Sequence, residues 1–313
     1  MDKPTLWLLG GIFGFLALAS FVGFLVGQKA ARPGATDATR ATVDNLNARL
    51  RAWWIIVGVV AVAVLLGRVG ACVLFGLASF WALREFVTLT PTTAGDHRAL
   101  FWVFFVVTPL QYWLVATEWY GLFVILIPVY AFLFIPMRMS LTGDCERFLE
   151  RAAKTQWGLM VCVYCVSHAP ALMTLPFGPH GGGRLLLFFL LVVQLSDVFQ
   201  YTWGKLYGRR PIAPHVSPNK TWEGFVGGVG SATLLGAALW WATPFNPLQA
   251  AGMSLAICLM GFAGGLTMSA IKRDRGVKDY GTLIQGHGGV LDRVDSICFA
   301  APVFFHLTRF YFT

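Results

Sequence analysis

Ten apolar stretches, most of them close to 20 residues long, run the length of this chain, at about 5–27, 52–67, 69–83, 99–116, 119–137, 156–175, 184–204, 222–243, 249–271 and 296–312. Twenty helical residues cover about 30 Å, the thickness of a bilayer's hydrocarbon core. A spanning segment must close its backbone hydrogen bonds internally, which makes each stretch a helix. Charge is correspondingly scarce: 12% of residues are charged and 57% hydrophobic, about half the charge of an average soluble domain. Disorder, a collagenous repeat and a disulfide-stapled scaffold are excluded by the same composition. The expected fold is an all-α polytopic membrane protein of about ten transmembrane helices joined by short loops. The first stretch has no small-residue cleavage site and runs into Gly27-Gln28-Lys29, so it reads as a retained helix.

Alternating spans divide the loops between two sides. Segments 28–51, 84–98, 138–155, 205–221 and 272–295 carry 20 of the 24 Lys and Arg, whereas Lys3, Arg68, Arg184 and Arg309 fall on the other side. Lys and Arg accumulate in cytoplasmic loops, so the first set is expected to be cytoplasmic and both termini outside. The same rule accounts for the net charge of +9 without a nucleic-acid partner. The six cysteines form no loop-placed framework; Cys162 and Cys165 make a CxxC inside an apolar helix, with no second pair for a zinc site. The chain reads as one integral membrane domain, 1–313, with hydrophobic helices up to residue 183 and a part dense in polar features from 184 to 313.

Three polar stretches break the apolar background. Asp197, in Ser196-Asp197-Val-Phe-Gln200-Tyr201, lies inside the seventh span. A carboxylate there costs about 2.5–3.5 kcal/mol, so it should face the bundle interior with a cation or metal, or else serve a structural ion pair. In Ser217-Pro218-Asn-Lys220-Thr221-Trp-Glu223-Gly224, serine followed by proline predicts a helix start. Free amides there, beside Lys220 and Thr221, make a phosphate site, although the charge alone equally suits a cytoplasmic loop. The helix continues through Gly224, Gly227, Gly228 and Ser231, a spacing that permits close packing on a neighbour.

The third stretch, Ser269 to Ser296, is the densest. Lys272, Arg273, Arg275 and Lys278 supply charge for a polyphosphate, and Gly286-His287-Gly288-Gly289 lets the backbone approach a ligand. Asp292 and Asp295 lie three apart at the start of the last helix and so share one face. Such a pair suits Mg²⁺ bound with substrate phosphates, or else complements the helix dipole. His287 can protonate a leaving group or hydrogen-bond a phosphate.

Over residues 190–296 these motifs resemble the phosphatidate cytidylyltransferase (CDP-diacylglycerol synthase) family. The matching positions are Ser269, Lys272, Arg273, Lys278, Asp279, His287, Gly288, Gly289, Asp292, Arg293 and Asp295, preceded by Asp197 and the Ser217 to Gly224 stretch. The chain departs from the pattern at Gly264-Gly265-Leu266-Thr267-Met268-Ser269, where the family has Gly-Asp-Leu-x-Glu-Ser and its aspartate binds metal, and at Gln285, where Pro or Gly is usual. The resemblance implies a divergent bacterial-type enzyme of the inner membrane, with its active site on the cytoplasmic side. It would transfer a cytidylyl group from CTP to phosphatidate with release of pyrophosphate, and act as a homodimer. The implied catalytic residues are Asp292, Lys278, Asp279 and His287. Ser217, Lys220, Thr221, Lys272, Arg273, Gly288, Gly289 and Arg293 would bind CTP and phosphate. Asp197, Asp292 and Asp295 would hold Mg²⁺, with a second cation left open. The competing readings are a non-catalytic or altered-substrate member and an anionic-solute transporter; paired halves with broken helices, the mark of many transporters, are not visible in the sequence.

Overall fold

The computed structural model describes residues 3–30, 37–178, 181–283 and 288–313. Ten long helices follow in order: α1 (Lys3–Ala30), α2 (Asp37–Leu65), α3 (Gly67–Thr88), α4 (Ala94–Ala116), α5 (Tyr120–Ser140), α6 (Phe148–Thr174), α7 (Gly181–Tyr207), α8 (Trp222–Ala238), α9 (Pro247–Asp274) and α10 (Leu291–Phe312). Eight of them are long and apolar enough to cross a membrane. The other two are α8, only 17 residues long, and α10, which carries Asp292, Arg293 and Asp295 in its first turns. The protein is thus an all-α polytopic membrane protein. Its outer faces are apolar, with Trp7, Leu66, Leu133 and Leu234 all exposed, as lipid contact requires. All six cysteines are free.

Helices α4, α5 and α6 each contain one widened turn, at Val103–Val107, Leu126–Ala131 and Met160–Cys165. Pro109, Pro128 and Pro170 lie in or shortly after these turns, and a proline has no N–H to give the carbonyl four residues back. Polar side chains repair the ladder: the Thr108 hydroxyl donates to the Val103 carbonyl at 2.8 Å, and Gln111 Nε2 to the Phe123 carbonyl at 3.1 Å.

Packing in the C-terminal half is closest between α7 and α8. A Cβ at Gly228 would lie 2.5 Å from the Gln200 backbone nitrogen, so only glycine permits this approach. The glycine face expected to pack on a neighbour therefore packs on α7 of the same chain. Phe188 and Phe189 of α7 meet Phe304 of α10, the nearest pair of rings stacked at 5.4 Å. Helix α10 also packs against α3 and α6, so the two halves of the chain share one core.

Charged groups gather at opposite ends of the bundle. Arg68 pairs with Glu118, and the Arg309 guanidinium lies 3.7 Å from the Tyr120 ring centre. Elsewhere the buried Arg151 reaches Asp96 at 3.3 Å and Asp144 at 2.8 Å, tying the first turn of α4 to the loop before α6.

Candidate active site

The helix start predicted at Ser217-Pro218 is replaced by a strand. After α7 the chain forms a short antiparallel hairpin, β1 (Pro211–Ala213) and β2 (Ser217–Thr221), closed by a three-residue turn. Proline is tolerated on the free edge of a strand as well as at a helix start, which is why Pro218 misleads. Thr221, still extended, is the residue that caps α8, accepting the Gly224 N–H on its hydroxyl at 3.1 Å. Glu223 faces back and accepts the N–H groups of Arg209 and Arg210 at 3.0 and 3.2 Å, which holds its carboxyl below the usual range. The hairpin thereby presents Lys220 to the bundle instead of leaving it in a solvated loop.

Lys220 is the centre of the arrangement. Its ammonium lies 4.7 Å from the centre of the Phe262 ring, and burial pushes its pKa down while Asp197 and Asp295 pull it back up. It also lies where a Cβ at position 265 would be 3.0 Å away. The absent acid at Gly265 is thus matched by a lysine cation beside the empty position. Met268, the other departure, is fully buried, and its carbonyl accepts the Tyr280 hydroxyl at 2.8 Å.

Asp197 of α7 and Asp295 of α10 converge on Ser296, whose hydroxyl donates to Asp197 Oδ2 at 2.7 Å and lies 3.4 Å from Asp295 Oδ1. Asp292 has a different environment. Its Oδ1 accepts the Lys272 ammonium at 2.8 Å, and its Oδ2 accepts the backbone N–H groups of Tyr280 and Gly289 at 2.8 and 3.0 Å. Gly288 needs its glycine for a φ of 78°.

A cavity of about 690 Å³ joins these groups to the lipid-facing helices. Asp197, Lys220, Asp292, Arg293 and Asp295 line its polar end, with Ser217 and Thr221; Leu16 of α1, Trp53 of α2 and Leu191 of α7 line its apolar part. Arg49 also borders it. Other expected site residues lie outside this lining. Arg273 is exposed and donates to the Val216 carbonyl at 3.2 Å, fixing the hairpin turn to the end of α9. Lys278 and Asp279 are exposed, and Lys272, Gly288 and Gly289 stand behind Asp292. His287 lies outside the described residues.

Two carboxylates lining one cavity suit a cation. The second oxygen of Asp197 and of Asp295 accepts no hydrogen bond from a described residue. Mg²⁺ usually takes one or two carboxylates and completes its shell with water and substrate phosphates, so this pair fits it. Among the described residues no group of three or more His, Cys, Asp or Glu gathers into an all-protein metal cage.

Sequence reasoning missed Glu85, Tyr280 and Ser296. Glu85, in the last turn of α3, accepts the N–H groups of Val290 and Leu291 at 3.0 and 2.8 Å. An acid in an otherwise apolar helix was its only signal.

A half-buried lysine beside two carboxylates thus shares one cavity with apolar side chains of α1, α2 and α7. The chain is 39% identical over 308 residues to the uncharacterized protein YnbB of Escherichia coli (strain K12), covering 96% of this chain and 97% of that one. It is 40% identical over 170 residues to the phosphatidate cytidylyltransferase of Mycobacterium leprae (strain TN), covering 53% of each. It is also 40% identical over 124 residues to that of Staphylococcus aureus (strain COL), covering 39% of this chain and 48% of that one. The matches to named phosphatidate cytidylyltransferases thus span about half of their length. The profile of the cytidylyltransferase family matches residues 47–311, from the middle of α2 to the end of α10, and the chain belongs to that family.

Proposed function

We propose that this protein transfers a cytidylyl group from CTP to phosphatidate, giving CDP-diacylglycerol and pyrophosphate. The observation that carries this reading is a cavity lined both by Asp197, Lys220 and Asp295 and by apolar side chains of α1, α2 and α7. An acceptor with a phosphate and acyl chains matches both. In the reaction a phosphate oxygen of the lipid attacks the α-phosphorus of CTP. A P–O bond forms there while the bond to the β-phosphate oxygen breaks, and negative charge builds on the departing pyrophosphate.

The protein's task is then positioning and charge. Lys220 and Arg293 meet phosphates inside the cavity, with Ser217 and Thr221 at its rim. Lys272 turns from Asp292 to a phosphate when nucleotide arrives. Arg273, Gly288 and Gly289 shape the nucleotide side, and Lys278, Asp279 and His287 complete it from the loop before α10. Asp197 and Asp295 would hold Mg²⁺, joined by Asp292 once Lys272 has left it, with Lys220 as the second positive charge. The metal when bound supplies charge neutralisation to the phosphates. The 20 to 4 division of Lys and Arg supports a cytoplasmic site with both chain ends outside, and the bacterial sources of the relatives support an inner membrane. Self-association into a homodimer completes the proposal.

The test is pyrophosphate release by the purified protein in detergent. Release that needs CTP, phosphatidate and Mg²⁺ together, and that vanishes in Asp292→Ala, supports the reading. Release only with a different lipid phosphate would change the acceptor, a reading that Gly265 and Met268 favour. No release with any lipid phosphate would overturn it in favour of a non-catalytic member.

A further inference from the structure

Glu85 performs a task that no sequence motif marks. It lies on α3, near the end of that helix, and only 8% of it is exposed. Each carboxylate oxygen accepts one backbone N–H at the start of α10, from Val290 and from Leu291, 205 and 206 residues further along the chain. Helix α10 has no side-chain cap of its own, since the residue before it is Val290. The first amides of a helix need acceptors, and a carboxylate also complements the dipole. Glu85 is therefore a cap supplied by a separate helix. Among the described residues no cation lies within ion-pair distance of it, so its charge is balanced by these amides.

The same carboxylate shapes the turn before α10. A Cβ at Gly281 would lie 2.6 Å from Glu85 Oε1, and one at Gly289 would overlap both oxygens. From the other side, Asp292 takes the N–H groups of Tyr280 and Gly289. Two carboxylates thus hold four backbone amides between residues 280 and 291. Glu85 also fills the position at the α10 N-terminus where an anion would otherwise bind, which leaves substrate phosphates to the lysines and arginines. It does not line the cavity.

We propose that Glu85 is a positioning residue for the nucleotide side of the site: it holds Gly281, Gly289 and the start of α10, and so sets where Asp292, Arg293 and Asp295 stand. This rests on the proposed reading that the turn and α10 face CTP. It also gives the N-terminal helices a part in the chemistry that their apolar sequence does not announce.

The test uses the full chain with Glu85→Gln, Glu85→Asp, Gly289→Ala and the Glu85→Gln/Gly289→Ala double variant. A glutamine can accept only one of the two amides and turns a donor towards the other. It should raise KM for CTP about tenfold or more and leave KM for phosphatidate within about twofold. Glu85→Asp, which keeps the charge, should recover part of the loss. The double variant should be no worse than the poorer single one, because Gly289→Ala already displaces the carboxylate. A second readout needs no turnover: Thr282→Cys, at an exposed position, in a background where the exposed Cys145 is serine, labelled with a maleimide. Labelling should be several-fold faster with Glu85→Gln. Equal changes in both KM values, additive effects, or unchanged labelling would overturn the proposal. If the wild type turns over no CTP, the proposed reaction fails, while the labelling rates still decide whether Glu85 holds the turn.

Discussion

Replacing Asp292 by asparagine keeps the shape of the side chain and removes its charge, which separates its structural work from that of Asp295. Asp292 makes three hydrogen bonds with one carboxylate: Lys272 on one oxygen, and the Tyr280 and Gly289 amides on the other. An asparagine cannot satisfy all three, because its NH₂ must face either an ammonium or two N–H donors. Hydrogen bonds to a charged group contribute about 1.5–3 kcal/mol each, and breaking a buried ion pair costs about 3–5 kcal/mol. The side chain of Asp292 is 4% exposed and that of Lys272 12%, so water recovers only part of the loss. A destabilisation of about 3 kcal/mol follows. Asp295→Asn, whose side chain bonds among the described residues only to neighbouring Ser296 groups, should cost less than about 1 kcal/mol. Both variants should lose turnover. Unfolding in detergent, followed by the fluorescence of the 12 tryptophans, measures the difference. Equal stability of Asp292→Asn and wild type, or an equal loss in Asp295→Asn, would refute the reasoning.

Gly265→Asp places a carboxylate beside the Lys220 ammonium, and the new ion pair should lower turnover; a variant that gains activity would show that the lysine does not occupy this position functionally. Glu223 gives a pH signature. Its lowered pKa means that its hold on the Arg209 and Arg210 amides is complete above the ordinary glutamate value of about 4.3 and is lost as pH falls through the lowered value. Stability of the wild type should therefore stay level down to about that pH, with an acid-side loss that Glu223→Gln reduces in a pH series of unfolding curves. Gly228→Leu should prevent α7 and α8 from closing and abolish recovery of folded protein in detergent, since its Cβ alone would strike the Gln200 backbone. Arg273→Ala should weaken turnover far less than Lys220→Ala, because it holds the Val216 carbonyl at the surface.

The helices were legible because each has to carry an apolar stretch near 20 residues, and the polar interruptions at Asp197 and Asp292 stood out against it. What was misread shares a physical origin. Ser217-Pro218 suits both a helix start and a strand edge, and only the pairing of Pro211 with Thr221 decides between them. Arg273 obeyed the motif, but its direction is set by a carbonyl 57 residues earlier. Glu85 acts on amides more than 200 residues away, and no local pattern can announce such a contact. The widened turns of α4 to α6 depend on how freed carbonyls are satisfied by Thr108 and its like, which hydropathy does not register. Lys220 was found, but its place beside Gly265 was not, because that proximity exists only once the hairpin folds back.

The central claim is that the cavity joins CTP to a lipid phosphate. The most direct measurement incubates the purified protein with CTP labelled in its cytosine, phosphatidate and Mg²⁺, and follows the label into the organic phase. Label that appears there as CDP-diacylglycerol, with none from Asp295→Asn, is the predicted result. Label that stays in the aqueous phase, with folded protein and bound CTP, would contradict the account.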